Sequence, residues 1–150
     1  MIKDKNYSII SCSPETLIIK KGSDISTKPI AGTVKKTKQL NKIKALNYFR
    51  KNLKETKEHN MIVDMERNDL SRICKVGSVK LSKQKIVEEY KDLFHYVSLI
   101  KGKLKKNINN FEIIKAMMPG GSVIGCPKIN TLNLLNHQKK ENRNIYICIF

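Results

Sequence analysis

No apolar run in this 150-residue chain approaches the roughly 20 residues that cross a bilayer as a helix, so nothing in it reads as a membrane span. The first residues, Met1-Ile2-Lys3-Asp4-Lys5-Asn6, turn charged at once and do not form a secretory leader. Cysteine is sparse: Cys12, Cys74, Cys126 and Cys148 show neither Cys-x-x-Cys pairing nor zinc spacing, which leaves free thiols in a reducing compartment. Repeats, low-complexity tracts and clear linkers are missing too. The expectation is a soluble, cytoplasmic protein with no membrane partner. Arginine is scarce as well. Of 30 basic residues only Arg50, Arg67, Arg72 and Arg143 are arginine, and the rest are lysine. A net charge of +17 raises the question of nucleic acid. The lysines, however, are dispersed rather than interleaved with aromatics, and readers of phosphate and bases lean on the arginine fork. The balance points away from a nucleic-acid partner. A basic nucleic-acid-binding protein stays as the competing class.

Ser8 to Cys12 and Leu17 to Lys20 are short β-branched runs separated by Ser13-Pro14-Glu15. Lys21-Gly22-Ser23-Asp24 is a turn signal, and Ile25 to Ile30 reads as a further strand. From Thr37 the period changes: Leu40, Ile43, Leu46, Phe49 and Leu53 recur every three or four residues, the mark of an amphipathic helix. It is expected to continue to Asp69, with room for a break. After Gly77-Ser78 come Val79 and Leu81. In the stretch Tyr90 to Leu104, Phe94, Tyr96 and Val97 fit a strand ended by Gly102. Phe111 to Met118 fits a helix stopped by Pro119-Gly120-Gly121. A helix after Pro127 puts Ile129, Leu132 and Leu135 on one face, and Ile145 to Phe150 begins a last strand. The class is α+β, with long helices covering a largely antiparallel sheet.

The run from Glu55 to Leu70 holds the most chemical information. On a helix, residues three apart share a face, so Glu55 and Glu58 present two carboxylates side by side, just ahead of the apolar Met61-Ile62-Val63. Mg²⁺ takes one or two protein carboxylates together with substrate oxygens. The pair is therefore a plausible half-site for a metal that also holds an anionic ligand, although solvated glutamate pairs are common on helices.

Other segments add to this. Ser13-Pro14-Glu15, Pro29-Ile30-Ala31-Gly32-Thr33, Glu55-x-x-Glu58-His59, Arg67-Asn68-Asp69-Leu70 and Pro119-Gly120-Gly121-Ser122-Val123-Ile124-Gly125-Cys126-Pro127-Lys128 follow in an order that resembles the chorismate-binding enzymes. That family includes component I of anthranilate synthase and of aminodeoxychorismate synthase, and the isochorismate and salicylate synthases. The resemblance runs from about Tyr7 to Tyr146. The family's catalytic unit is considerably longer, so residues 1–150 are expected to be part of a catalytic domain whose N- and C-terminal portions lie elsewhere.

The resemblance implies roles by position. Glu58 matches a Mg²⁺-binding glutamate and Glu55 its companion. Glu15 matches the candidate general acid for loss of the ring hydroxyl, and His95 an active-site histidine. Gly32 and Thr33 match a substrate-binding Gly-Thr. Gly120 and Gly121 would let a loop approach the ligand. Lys128 would neutralise a carboxylate or cap structure, and Tyr146 would contact a substrate carboxylate. Arg67-Asn68-Asp69 reads as a helix-end hydrogen-bond network. Implied partners are chorismate, a glutamine amidotransferase component II supplying ammonia, and a complementary segment of the same enzyme.

Arg-Asn-Asp-Leu disfavours the isochorismate and salicylate branches. Pro119-Gly120-Gly121-Ser122 and Met61 to Arg67 look more like aminodeoxychorismate synthase. Ala31 dissents, because the best-known members of that branch carry a nucleophilic lysine there, and direct amination suits anthranilate formation. Lys139 stands where a glutamate is usual. The reading is an aminodeoxychorismate-type component I, inactive alone. An anthranilate-type component I and a non-catalytic remnant are the alternatives.

Overall fold

The computed structural model describes residues 2–125 and 127–138. Tyr146, Lys139 and the strand expected from Ile145 lie outside the described residues.

Two minimal strands, β1 (Ile2–Lys3) and β2 (Ser8–Ile9), pair with each other. The main sheet is built from β3 (Thr16–Lys21), β4 (Asp24–Lys28), β5 (Ile30–Lys35), β6 (Lys80–Glu89) and β7 (Leu93–Lys103). All its pairings are antiparallel. β7 is the axis: β6 runs along one edge, while β4 and then β5 share the other, with β3 beyond β4.

The single strand expected over Ile25 to Ile30 is two strands. Pro29 has no N–H to give the ladder, and the chain breaks there. The Pro29 carbonyl still accepts from the Ser98 N–H at 3.3 Å. β7 does not stop at Gly102, since the missing side chain leaves room for the Cys74 Sγ, which a Cβ would approach to 2.6 Å.

The helices are α1 (Lys42–Lys51), α2 (Leu53–Ile73), α3 (Asn110–Met117), α4 (Gly121–Ile124) and α5 (Lys128–Gln138). The break between α1 and α2 falls at Asn52, whose side chain accepts from the Lys54 and Glu55 amides and so caps the second helix. α1 and α2 cover one face of the sheet and α3 packs on α2. One cluster joins Ile25, Val63, Leu70, Ile73, Ile100, Ile113 and Met117, and a second joins Ala45, Phe49, Val87, Phe94 and Tyr96. Ile43 and Leu53 are 71% exposed, so the buried face of α1 is Ala45 and Phe49 rather than the full periodic set. Ile129 is 74% exposed while Leu132 and Leu135 are half-buried, and α5 buries no residue completely, so the expected apolar face there is covered only in part.

Side chains alternate across a strand. Phe94, Tyr96, Ser98 and Ile100 therefore face the helices, while His95, Val97 and Leu99 face the other side. No helix among the described residues is long and apolar enough to cross a membrane.

Candidate functional site

The candidate residues gather along β5. At its start, the Ile30 N–H donates to Glu15 Oε1 at 2.9 Å, and the other Glu15 oxygen accepts from the Ser122 hydroxyl at 2.6 Å. Two residues on, Gly32 has φ +110 and lies against α1 and α2. A Cβ there would sit 2.8 Å from the Phe49 ring and 2.9 Å from Glu55 Oε2. Next comes Thr33, whose Oγ1 is 2.8 Å from His95 Nδ1. Thus residues as distant in sequence as Glu15 and His95 converge on one short strand.

Thr33 meets His95 because of a bulge. Ile30 pairs with Val97, and the next pair is Thr33 with His95. Three steps on β5 match two on β7, so Ala31 and Gly32 together oppose Tyr96. Unbulged, Thr33 would pair with Phe94 and face the helices.

His95 is only 6% exposed. Burial holds its ring below the ordinary histidine range; Glu88 opposes this and Lys28 adds to it. Glu88 lies opposite His95 in the ladder, 2.7 Å from Lys28 Nζ and 3.0 Å from the Tyr90 hydroxyl. The Tyr90 ring stands edge-on to His95, with centroids 5.2 Å apart. Lys28, Glu88 and Tyr90 are not legible as site residues, because the register of β6 brings Glu88 opposite His95 and Lys28, at the end of β4, reaches the group through Glu88.

Glu55 is half-buried and Glu58 exposed, both on the first turns of α2. Among the described residues no three His, Cys, Asp or Glu side chains are grouped to close a metal site. The Glu55 carboxylate nevertheless reaches the space a Gly32 side chain would fill. This suits a half-site, in which one or two carboxylates hold Mg²⁺ and a ligand supplies further oxygens.

Around Glu15 lies a second polar group. Glu66 is 3% exposed, with its Oε2 3.0 Å from the Thr27 hydroxyl. Asp69, also 3% exposed, is ion-paired with Lys128. Asp69 is thus a buried tie to α5 rather than part of an Arg67–Asn68–Asp69 network at a helix end; Arg67 instead pairs with Asp64 at 3.2 Å. Lys128 is already engaged by Asp69. Gly121, the first residue of α4, packs against α2, where a Cβ would come within 2.1 Å of Met65 Cε, so the close approach it permits is to that helix. Gly120 caps α4 beside Leu17.

Burial pushes Glu66 up to about 7; the Thr27 hydrogen bond and Lys128 oppose this, while Asp69 and Glu15 add to it. Glu66 therefore holds its proton more firmly folded than unfolded. Its protonated form stabilises the fold below about pH 4.5, and that contribution disappears as pH rises through about 7. Glu66→Gln should then be more stable than the parent at pH 8, by roughly 3 kcal/mol at most, with the gap closing towards pH 4. Thermal melts across that range check it; an unchanged gap would remove Glu66 as the cause.

His59 is fully buried, and burial together with Lys85 pushes it down to about 4. Its Nε2 is 2.7 Å from the Ser98 hydroxyl. His59 and Glu66 belong to the stripe 59, 62, 63, 66, 70, 73 that forms the buried face of α2. That helical spacing is the signal that marks them in the sequence.

Comparison with known proteins adds the following. A family model described as chorismate binding enzyme matches residues 1–149. The chain is 38% identical over 146 residues to aminodeoxychorismate synthase component 1 of Bacillus subtilis (strain 168), covering 97% of the chain and 31% of that protein. It is 38% identical over 139 residues to an anthranilate synthase component I-like protein of Synechocystis, covering 92% and 29%. The crystal structure of anthranilate synthase component I from Streptococcus pneumoniae TIGR4 superposes with a TM-score of 0.76 at 34% identity, covering 90% of this chain and 29% of that one. The chain thus spans under a third of the length of these relatives.

Proposed function

The chain belongs to the chorismate-binding enzyme family, and from that membership we propose that it holds chorismate for amination as part of a component I of the aminodeoxychorismate synthase type. One observation supports this above the others: β5 carries contacts to Glu15, Glu55 and His95 within four residues. In this reading Thr33 and His95 contact the ligand's polar groups, with the Gly32 backbone approaching closely. Glu58 and Glu55 hold Mg²⁺, which supplies a positive counter-charge to a substrate carboxylate. Lys128 and Gly121 position the 119–128 segment, and Gly120 opens it to the ligand. Tyr146 contributes a hydroxyl to a substrate carboxylate.

The chain's short span relative to its kin makes a complementary segment part of the proposal, and a glutamine amidotransferase would supply the ammonia in the cytoplasm. Supplied with chorismate, Mg²⁺ and ammonia, the chain alone should give no product. Joined to complementary family segments it should give aminodeoxychorismate. Product from the chain alone would overturn the dependence, and no product from the joined enzyme would overturn the reading.

Ala31 favours a second reading, the anthranilate type. It is 4% exposed in the bulge and offers no amine to attack the ring. Anthranilate as the product would establish it.

Glu15 has a role that kinetics can separate. As a general acid it assists mainly in the transition state, an effect of about 10²–10⁴-fold. Glu15→Gln in the joined enzyme should therefore lower kcat far more than it raises KM. Ser122→Ala should leave kcat nearly unchanged. A KM defect shared by both variants would make Glu15 an anchor for β5 and Ser122 instead.

A further inference from the structure

His95 is held from both edges of β7. On one edge Thr33 of β5 takes Nδ1, and on the other lies β6. The Thr33 contact alone is a weak hold on an imidazole. The torsion that turns the ring is broad and two-fold, and half a turn puts a carbon where Nδ1 was. A single hydrogen bond favours the right half by only about two- to tenfold. A ring that aims Nε2 at a ligand gains from a second restraint, and β6 supplies one.

Glu88 stands opposite His95 in the ladder. Residues two apart on a strand share a face, so Tyr90 lies on the His95 side as well. The turn fixes its backbone, because the Tyr90 N–H donates to the Leu93 carbonyl at 2.9 Å. The Tyr90 ring meets the imidazole with 71° between the planes, the edge-on geometry that aromatic rings prefer. Its hydroxyl donates to Glu88 Oε2 at 3.0 Å. The same oxygen accepts from Lys28 Nζ at 2.7 Å. Lys28 ends β4, which lies on the opposite edge of β7 from β6. The ion pair therefore passes over β7 and straps three strands together. The Lys28 and Glu88 side chains are only 25% and 30% exposed, so solvent screens this pair less than one on an open surface.

We propose that Tyr90 is a positioning residue for His95: Glu88, anchored across β7 by Lys28, holds the Tyr90 hydroxyl, and the Tyr90 ring keeps His95 turned with Nδ1 on Thr33 and Nε2 towards the ligand. The proposal rests on the reading of His95 as ligand-facing. It assigns Lys28, Glu88 and Tyr90 no contact with substrate or metal. The competing account is an ion pair that joins β4 to β6 and leaves the His95 ring to Thr33 alone.

The experiment is carbon and nitrogen NMR of the histidine rings in the joined enzyme, labelled within residues 1–150 and without ligand. Loss of signals in His95→Gln assigns the His95 ring. In the parent that ring should relax as slowly as the β7 backbone and show contacts to both Thr33 and Tyr90. Tyr90→Phe keeps the ring and removes only the hydroxyl, yet it should set the imidazole moving and weaken its contact with Thr33. Glu88→Ala should do the same. Glu88→Gln leaves an oxygen to accept from Tyr90 and should keep the parent behaviour. His59, on the other face of the sheet, should give parent signals throughout. A ring as still in Tyr90→Phe as in the parent overturns the proposal, and so does a Glu88→Gln that frees the ring as fully as Glu88→Ala. If a Glu88 variant does not fold, Tyr90→Phe decides alone, since it removes one oxygen from a residue 42% exposed. In turnover Tyr90→Phe should lose about tenfold in kcat/KM, as misplacement of a contacting group does, while Glu88→Gln stays near the parent. A mobile ring with unchanged turnover would also overturn the role. If the joined enzyme makes no product, the proposed function falls and the ring measurement still decides for Tyr90.

Discussion

Gly32→Ala is expected to destabilise the chain by roughly 2–6 kcal/mol, a large part of an ordinary domain's stability. Two independent costs add. The backbone at φ +110 is one a side chain rarely adopts, and such strain is of order 1–3 kcal/mol. The new methyl would also sit 2.8 Å from the Phe49 ring. Phe49 is fully buried and stacked on Tyr96 at 4.9 Å between centroids, so it has little room to withdraw, and overpacking of this kind costs about 1–3 kcal/mol. The costs can be separated. Phe49→Leu frees space and should rescue part of the loss in Gly32→Ala, while the backbone strain remains. A double-mutant cycle by denaturant unfolding should therefore show favourable coupling of about 1 kcal/mol. Parent-like stability of Gly32→Ala alone would mean that the bulge is not held as described.

Glu58→Gln is expected to abolish Mg²⁺-dependent turnover in the joined enzyme and to leave the fold unchanged. Glu58 is exposed and has no hydrogen-bond partner among the described residues, so its carboxylate contributes little to folding. Its position one turn beyond Glu55 lets it share a hard cation with that half-buried neighbour. Glu55→Gln should have a weaker effect of the same kind. A readout apart from turnover is the increase in chorismate affinity on adding Mg²⁺, which Glu58→Gln should remove. Normal turnover by this variant at ordinary magnesium would end the assignment.

The sequence made the motifs legible but not their arrangement. The helical period from Thr37 is readable from its spacing, and the helix over Phe111 to Met118 from the Pro119-Gly120-Gly121 stop. β6 is hardly legible in the sequence. Its Lys80-Leu81-Ser82-Lys83-Gln84-Lys85 start is polar, and its register slips twice against β7, so no strict alternation survives. Lysines on such an edge strand also guard it against pairing with other chains. Gly32-Thr33 and His95 were picked out singly. That Thr33 faces His95 depends on one extra residue in β5, a feature that strand periodicity alone does not reveal. Glu66 and His59 stood on a helical stripe that was readable. Their polar character drew attention away from the buried face on which they lie.

In the proposed function β5 and His95 form a chorismate site served by Mg²⁺. Titration of the joined enzyme, isotopically labelled within residues 1–150, with chorismate, with and without Mg²⁺, can be followed by NMR at each backbone amide and histidine ring. Shifts should centre on Ile30, Gly32, Thr33 and His95, be strengthened by Mg²⁺ and no longer be strengthened in Glu58→Gln. Shifts that spare β5 and His95 would contradict it, as would salt-sensitive shifts with DNA where chorismate produces none.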